Sequence, residues 1–353
     1  AAVSATLATR WIGQGPQVDR FETEFVRRLG LSRPAIATGA GTDALHLSYV
    51  LAGLEPGDEV IVPVFTCTAT NIPLLYHGVE IRFADVQRDT MNLDVDSVRS
   101  LITPKTKAIV CVHYGGLPCD MDELLELAEQ HNLLVIEDAA HAIGAVYRGR
   151  KIGDISPYTM FSFQAIKHLT TGDGGMLLVP NEEVAEKTRR LRWFGIDRAA
   201  KQGGYWSNDI AEVGYKYQMT DIAAAIGLAG LEEIDEILAI RRRIFQLYVE
   251  QLQGIPDLEL VGANFDDREH AGWLFTVAVE RRQALIEKLR AEGIETGRVH
   301  FRNDRYTIFK KFARAGDYPN MDYLDDRYLI LPLHTKVTEQ DVKRVCDSIR
   351  AGW

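Results

Sequence analysis

The sequence is poor in cysteine, with four in 353 residues. None of them has the paired spacing of a disulfide framework or a zinc site. We therefore expect reduced thiols in a cytoplasmic protein. They stand at Cys67, Cys111, Cys119 and Cys346.

The sequence also lacks a run of basic residues, and its formal net charge is −10. This balance argues against binding to nucleic acid, although a few local cations could hold a small anionic ligand. No apolar segment approaches the roughly 20 residues of a membrane span, and the first fifteen residues lack the pattern of a signal peptide. We expect no membrane partner.

Short apolar segments alternate with helical patterns over the first two-thirds of the chain. Several are continuous runs rich in Val and Ile, which is typical of strands buried on both faces. This alternation predicts an α/β domain with a mostly parallel sheet. The predicted strands are 59–65, 80–86, 107–113, 133–138, 158–163 and 175–180, and the predicted helices are 41–54, 120–132 and 181–195.

From Met219 the pattern changes to one long helical segment, with a predicted break near Gly227 or Gly230. A strand pattern at 273–280 and helical patterns at 282–293 and 338–351 then indicate a smaller α+β unit. A chain of this length suits two domains of roughly 100–200 residues each. We predict a large domain over residues 1–240 and a small domain over 241–353.

Ligands of open α/β sheets bind at the carboxyl ends of the strands, and the segment "ATGAGTDAL" (37–45) is expected there. Its glycines lead into a helix whose first N–H groups and dipole can hold a phosphate. The Thr42 hydroxyl would add a further donor. A flexible turn without a ligand is the alternative interpretation.

Two acids, Glu137 and Asp138, close the apolar strand in "LLVIEDAAHAIG" (133–144). Such a carboxylate is either a cap for the next helix or a functional group that a cation keeps ionised. His141 follows three residues later, but no third metal ligand accompanies it, so we predict no metal site.

Lys167 lies between the strand pattern "MFSF" and the glycine-rich "TTGDGG". It is therefore expected at a strand's carboxyl end, in the same cleft as Asp138. A lysine partly removed from water has a lowered pKa and can form a Schiff base with a carbonyl. An ordinary surface lysine is the alternative, and the neighbouring His168 is expected to be exposed.

An anion-binding turn, a carboxylate and a reactive lysine together match pyridoxal 5′-phosphate (PLP). This cofactor needs an anion site for its phosphate, a carboxylate for its ring nitrogen and an amine for its aldehyde. From the residues alone we therefore predict a PLP site.

A series of ordered motifs resembles the DegT/StrS family of sugar aminotransferases, which are PLP enzymes of fold type I. The resemblance implies a large domain with a mostly parallel seven-stranded sheet between helices, followed by a smaller C-terminal α+β domain. The motifs are "GTDAL" (41–45), "PGDEVIVP" (56–63), "TAT" (68–70), "ITPKTKAIVCVHYGG" (102–116), "VIEDAAHAIGA" (135–145), "FSFQAIKHLTTGDGG" (161–175) and "GYKYQMTDIAAAIG" (214–227).

The resemblance also implies catalytic roles by position. Lys167 matches the lysine that bonds to the cofactor aldehyde and later moves a proton between substrate and cofactor. Asp138 matches the carboxylate paired with the pyridinium nitrogen. His141 matches a position near the cofactor ring and its phenolic oxygen.

Further positions match groups that hold the cofactor phosphate. Ser162, with Gly41 and Thr42, matches groups of the same subunit. The family is dimeric, and a segment matching "GYKYQM" (214–219) reaches the partner's active site, so Lys216 is expected near the partner's phosphate. We therefore expect a homodimer with shared active sites.

The sequence departs from the family pattern at two of these positions. Cys67 stands where the family usually has an aromatic residue that stacks on the cofactor. One interpretation is that Phe65 or another group covers the cofactor ring instead. A second is that this face of the ring is open for substrate. A third is that Cys67 is simply a small packing residue. Lys216 stands where Asn is frequent, and it would reach either the partner's phosphate or the substrate's phosphates.

The resemblance predicts transfer of an amino group from an amino acid, with glutamate expected, to a nucleotide-linked keto-deoxy sugar. His300, Arg302 and Arg305 are candidates for binding the diphosphate of that sugar; a solvated surface loop is the alternative. The alternative functions are a cyclitol aminotransferase, acting on an inosose-type ketone, and a PLP-binding regulator. An intact Lys167 favours transamination over the dehydration found in family members that have histidine there.

Overall fold

A computed structural model of the protein describes residues 1–198, 209–314 and 316–353. The strands fall into one large sheet and two small ones. In chain order they are β1 (Ala35–Thr38), β2 (Glu59–Pro63), β3 (Glu80–Ala84), β4 (Thr106–Val112), β5 (Leu134–Asp138), β6 (Val146–Tyr147), β7 (Arg150–Lys151), β8 (Tyr158–Ser162), β9 (Gly175–Leu178), β10 (Leu258–Val261), β11 (Arg268–Glu269), β12 (Phe275–Val279) and β13 (Tyr328–Leu331).

The large sheet has seven strands in the order β1-β9-β8-β5-β4-β2-β3. The strands from β8 to β3 run parallel to one another, whereas β9 is antiparallel to both of its neighbours. The predicted mostly parallel seven-stranded sheet is confirmed. Its interior strands are buried almost throughout, which agrees with their continuous apolar runs.

The described helices include those expected from the sequence, with ends that differ by a few residues. Among them, none combines the length and apolar character needed to cross a bilayer. They are α1 (Ala2–Ala8), α2 (Pro16–Leu29), α3 (Gly41–Leu51), α4 (Thr68–Tyr76), α5 (Val95–Leu101), α6 (Met121–His131), α7 (Glu182–Leu191), α8 (Asp221–Glu232), α9 (Ile234–Leu252), α10 (Arg282–Ala291), α11 (Pro319–Asp325) and α12 (Glu339–Arg350).

The long helical segment breaks later than predicted, between Glu232 and Ile234. Helix α8 runs through both glycines. A Cβ atom added at Gly227 would lie 2.7 Å from the ring of Phe21 on α2. The glycine therefore permits close packing of α8 against α2 and does not end the helix.

The second sheet, β10-β12-β13, packs with α9, α10 and α12 around a separate apolar core. Helix α9 contributes to two cores. Ile234 and Leu238 pack with the large sheet, while residues from Ile244 onward pack with the small one. The predicted boundary at residues 240 and 241 falls inside α9, between these two groups, and we retain it as a proposal.

Candidate active site

The carboxyl ends of β5 and β8 are adjacent, because Asp138 pairs with Met160 in the register of the large sheet. Asp138 is the last residue of β5, and Ser162 is the last residue of β8. Lys167 follows in the connection from β8 to β9. The topology thus brings three of the predicted site residues to one edge of the sheet, as the sequence predicts.

Asp138 is 3% exposed and is held by two donors. The Thr70 hydroxyl donates to Oδ2 at 2.7 Å, and the Ala140 N–H donates to Oδ1 at 3.1 Å. Burial raises the pKa of Asp138, while these donors and the nearby Lys167 charge favour ionisation. A cationic group facing this carboxylate would complete its surroundings.

Thr70 itself belongs to a buried hydroxyl chain that sequence reasoning did not assign. Its Oγ1 lies 2.9 Å from Oγ1 of Thr66, and its carbonyl accepts a hydrogen bond of 2.8 Å from the Tyr49 hydroxyl. The motif "TAT" marked the segment, but the contact with Asp138 crosses 68 positions of sequence. These bonds fix the hydroxyl that supports the carboxylate.

The amine of Lys167 is largely removed from water and faces an aromatic ring. Its Nζ atom is 3.9 Å from the centroid of the Trp273 ring. Burial lowers the pKa of Lys167 to about 8, opposed by the negative charge of Asp138. A useful fraction of the amine is therefore uncharged near neutral pH, as a nucleophile requires.

His141 is buried and stacked between two other rings. The centroid of its ring is 3.6 Å from that of Trp273, and 5.6 Å from that of His300. Burial, with the charge of Lys167, holds its pKa well below the usual range. Its Nδ1 atom has no hydrogen-bond partner among the described residues. A neutral imidazole with an unpaired nitrogen suits a polar ring substituent of a ligand.

Helix α3 begins at Gly41, beside Ser162. A Cβ atom at Gly41 would lie 3.1 Å from Cβ of Ser162, so glycine permits this approach. The N-cap residue, Ala40, makes no side-chain cap bond, although the Asp43 carboxylate of the first turn is hydrogen-bonded to the Ala40 backbone. The N–H of Thr42 and the helix dipole could hold an anion here, with the serine hydroxyl nearby.

The two positions that depart from the family pattern are both exposed. Cys67 precedes the first turn of α4, and it is near enough to influence the pKa of Lys167. The ammonium of Lys216 lies 5.5 Å from the centroid of the Phe194 ring, and its backbone pairs with Trp193. These contacts are with its own chain and do not involve Lys167 or Asp138.

The three candidates for a diphosphate have different surroundings. Arg302 is 3% exposed and pairs with Asp304 at 2.8 Å and also with Asp322. Arg305 pairs with Asp325 at 2.5 Å. Both guanidinium groups thus have carboxylate partners within the chain, and their role in binding a diphosphate stays a prediction.

His300 and His168 also differ from expectation. His300 stacks near His141 at the site, with its Nε2 unpaired among the described residues. Burial, together with Lys167, lowers the pKa of His300 to about 3. His168 was expected to be exposed, but it is buried, and its Nε2 atom lies 3.0 Å from the Ala271 carbonyl.

A second buried cluster lies beneath the site around Glu137. Its Oε2 is 2.8 Å from Nε2 of His113, and its Oε1 accepts bonds from Ser156 and Thr159. The Nδ1 atom of His113 accepts the N–H of Cys119 at 3.0 Å. The acid next to Asp138 is thus a structural group that fixes the end of β5.

The structure brings Cys111, His113 and Cys119 together, with ligand atoms within 4.8 Å of one another. Sequence spacing did not indicate this cluster. Both ring nitrogens of His113 are already hydrogen-bonded, and the Cys119 thiol donates to the Val112 carbonyl. Since each partner is engaged, we interpret the cluster as packing.

The seven-stranded sheet, with a lysine and a carboxylate at its carboxyl edge, defines an α/β aminotransferase of the PLP fold type I. The chain belongs to the DegT/DnrJ/EryC1/StrS aminotransferase family, whose model matches residues 1–350. It is therefore an enzyme of a sugar aminotransferase family, which agrees with the resemblance seen in the sequence.

Three known proteins illustrate the relationship. GDP-perosamine synthase of Caulobacter vibrioides is 39% identical over 353 residues, covering 96% of this chain and 90% of the relative. The crystal structure of the sugar aminotransferase CalS13 from Micromonospora echinospora is 35% identical, with a TM-score of 0.94 over 100% of this chain and 96% of that one. Spr1654 from Streptococcus pneumoniae, solved in a PLP-form, is 28% identical, with a TM-score of 0.91 over 99% and 94% of the two chains.

Proposed function

We propose that the protein uses PLP to transfer an amino group from an amino acid, with glutamate as the expected donor, to a nucleotide-linked keto-deoxy sugar. The observation that carries this proposal is the partly desolvated Lys167 amine, with a pKa of about 8, at the same strand edge as the buried Asp138. The name of the Caulobacter relative supports a nucleotide-linked sugar, and the PLP-form of Spr1654 supports the cofactor.

The residues of the site fit each part of PLP. The first turn of α3, from Gly41 and Thr42, would hold the phosphate with Ser162. The unpaired Nδ1 of His141 would face the phenolic oxygen. Asp138 would pair with the ring nitrogen, and this pairing would keep the carboxylate ionised despite its burial. When bound, the cofactor supplies an electron sink for the carbon that carries the substrate nitrogen.

Lys167 has two tasks in this proposal. Its Nζ atom would hold the cofactor through its aldehyde, and, once the substrate amine has displaced it, the same amine would take the proton from the substrate carbon and return it to the cofactor. A pKa near 8 lets Nζ both accept and return that proton near neutral pH.

We also propose a homodimer in which Lys216 serves the partner's site. This lysine is exposed, and the contacts described for it lie away from the Lys167 and Asp138 pair of its own chain. Its ammonium is therefore available to an anion outside its own subunit. Replacing it with Asn, the residue frequent in the family, would retain a donor without the charge.

The test combines purified protein, PLP and glutamate, and then a panel of nucleotide-linked keto sugars and cyclitol ketones. We expect glutamate to discharge the absorbance of the lysine-bound cofactor and release 2-oxoglutarate. A keto sugar should restore that absorbance. Product analysis then separates the sugar from the cyclitol function. The absence of any change with glutamate or another amino acid would favour a PLP-binding regulator.

The variant Lys167→Ala tests the role of the lysine directly. We expect it to bind PLP without a covalent bond and to show no turnover, because among the described residues no other amine occupies the position of Nζ. Borohydride reduction followed by peptide mapping should label residue 167 in the unmodified protein only. Normal turnover by this variant would refute the assignment.

A further inference from the structure

Trp273 occupies a position that neither the motifs nor the proposed chemistry explains. It lies just before β12 and is 5% exposed. Its backbone N–H donates to the Gly115 carbonyl at 3.1 Å. This bond fixes the backbone of Trp273, and its ring lies at the edge that carries Lys167.

The side chain of Trp273 makes three separate contacts with the site. The indole Nε1–H donates to the Ile166 carbonyl at 3.2 Å. The ring lies 3.9 Å from Nζ of Lys167. It is also stacked on His141 at 3.6 Å, with an interplanar angle of 15°. One residue thus contacts the lysine, the peptide before it and the imidazole beside it.

Each contact has a definite physical effect. The bond to Ile166 limits rotation of the peptide that orients the lysine. The ring face attracts a positive charge, and such contacts are stronger when they are desolvated. The ring also occupies volume that water would otherwise fill around Nζ. Cys67, at the family's aromatic position, offers no ring for these purposes.

We propose that Trp273 is a positioning residue that orients the Lys167 amine for its reaction with the cofactor aldehyde. The inference rests on the proposed function only in that Lys167 is the reacting amine. In that reaction Nζ adds to the aldehyde carbon, and a C=N bond forms as one water leaves. Trp273 takes no part in the bond changes; it holds the protonated amine over its ring until the proton is lost.

The proposal predicts how the capture of an aldehyde depends on pH. The uncharged amine reacts, so capture rises with pH through the pKa of Lys167. Removing the ring would let water reach Nζ, and since burial is the main reason for the lowered pKa of Lys167, the midpoint should move to higher pH even though the attraction of the ring for the charged amine is lost. Replacing Trp273 by another aromatic ring should leave the midpoint in place and lose only the bond to Ile166.

The experiment uses the apoprotein and 5′-deoxypyridoxal, which lacks a phosphate, so that the anion site does not mask the effect. The rate of formation of the C=N absorbance is measured across pH for Trp273→Phe and Trp273→Leu. We expect about a fivefold slower maximum rate for the Phe variant, from the lost hydrogen bond. We expect at least about a tenfold loss for the Leu variant, with its midpoint moved to higher pH.

Trp353→Phe is the matched control. Its indole Nε1–H also donates to a backbone carbonyl, that of Glu280 at 3.0 Å. Its ring also has a cation nearby, the Arg281 guanidinium at 5.7 Å. The control thus removes the same kind of bond outside the site, and we expect its capture rate and midpoint to be unchanged.

The outcomes separate the two proposals. If the unmodified apoprotein captures the aldehyde and both Trp273 variants match it in rate and midpoint, the inference is wrong and the proposed function stands. An unchanged or lower midpoint in the Leu variant would also overturn it. If the unmodified protein captures no aldehyde at Lys167, the proposed function itself fails. Thermal melting of each variant confirms that the folded protein is compared.

Discussion

Thr70→Val tests the support of the buried carboxylate. Valine nearly reproduces the shape of threonine but removes the donor 2.7 Å from Oδ2 of Asp138. A hydrogen bond to a charged group contributes about 1.5–3 kcal/mol, and at 3% exposure water cannot easily replace it. We therefore expect about a 10- to 100-fold weaker affinity for PLP, because Asp138 must stay ionised to pair with the ring nitrogen.

The same variant has a predicted dependence on pH. The pKa of Asp138 in the folded protein is raised, mainly by burial. A raised carboxyl pKa favours folding in acid, and this contribution is lost as pH rises through the folded pKa. Losing the Thr70 donor raises that pKa further. The stability difference between variant and parent should therefore be largest at neutral pH and smaller in acid.

The assays are fluorescence titration of the apoprotein with PLP and urea unfolding at several pH values. Thr23→Val is the control, since its hydroxyl donates to the Asp19 carbonyl on the exposed face of α2. We expect this control to change neither affinity nor the pH profile. Equal PLP affinity in Thr70→Val and the parent, with parallel stability curves, would refute the reasoning.

Three further predictions concern stability. Glu137→Gln should lower the free energy of unfolding by about 3 kcal/mol in urea, because His113 loses its carboxylate. The donors around Glu137 hold its pKa below the usual range despite burial. The parent should therefore lose this stability as pH falls through the pKa of Glu137 in the folded protein. The same dependence of the unfolding free energy on acid pH in Glu137→Gln would contradict this. Gly227→Ala should cost about 1–3 kcal/mol, because the new Cβ meets Phe21; an unchanged melting temperature would count against that packing. Arg302→Leu should destabilise the fold and leave the KM for the sugar unchanged, and a selective rise in KM would restore its predicted role in diphosphate binding.

Much of the site was predictable because its residues follow strands directly. Asp138 ends β5, and Lys167 lies in the connection that follows β8. The alternation of strand and helix patterns in the sequence therefore already implied that both lie at the same edge of the large sheet. Strand β1 was missed because four residues, two of them alanine, give little periodic signal.

The remaining contacts join distant parts of the chain. Trp273 meets Ile166 across 107 positions of sequence, and no local pattern indicates such a meeting. Arg302 pairs with Asp304, which is a sequence neighbour, and with Asp322, which lies 20 residues away, and neither ion pair was anticipated from the sequence. Charge in a sequence shows that a group can bind an anion, but only the folded chain shows whether that group is already paired.

The reversed direction of β9 has a consequence for how this enzyme can vary. Ser162 pairs with Gly175 across β8 and β9, so the segment between them is a closed loop with both ends fixed in the sheet. Adding or deleting a residue in it would shift the lysine relative to the serine, whereas exchanging the side chain at position 167 would leave the loop's length intact. Natural variation here should therefore proceed by substitution and not by insertion, and the chemistry could change while the anion site stays in register.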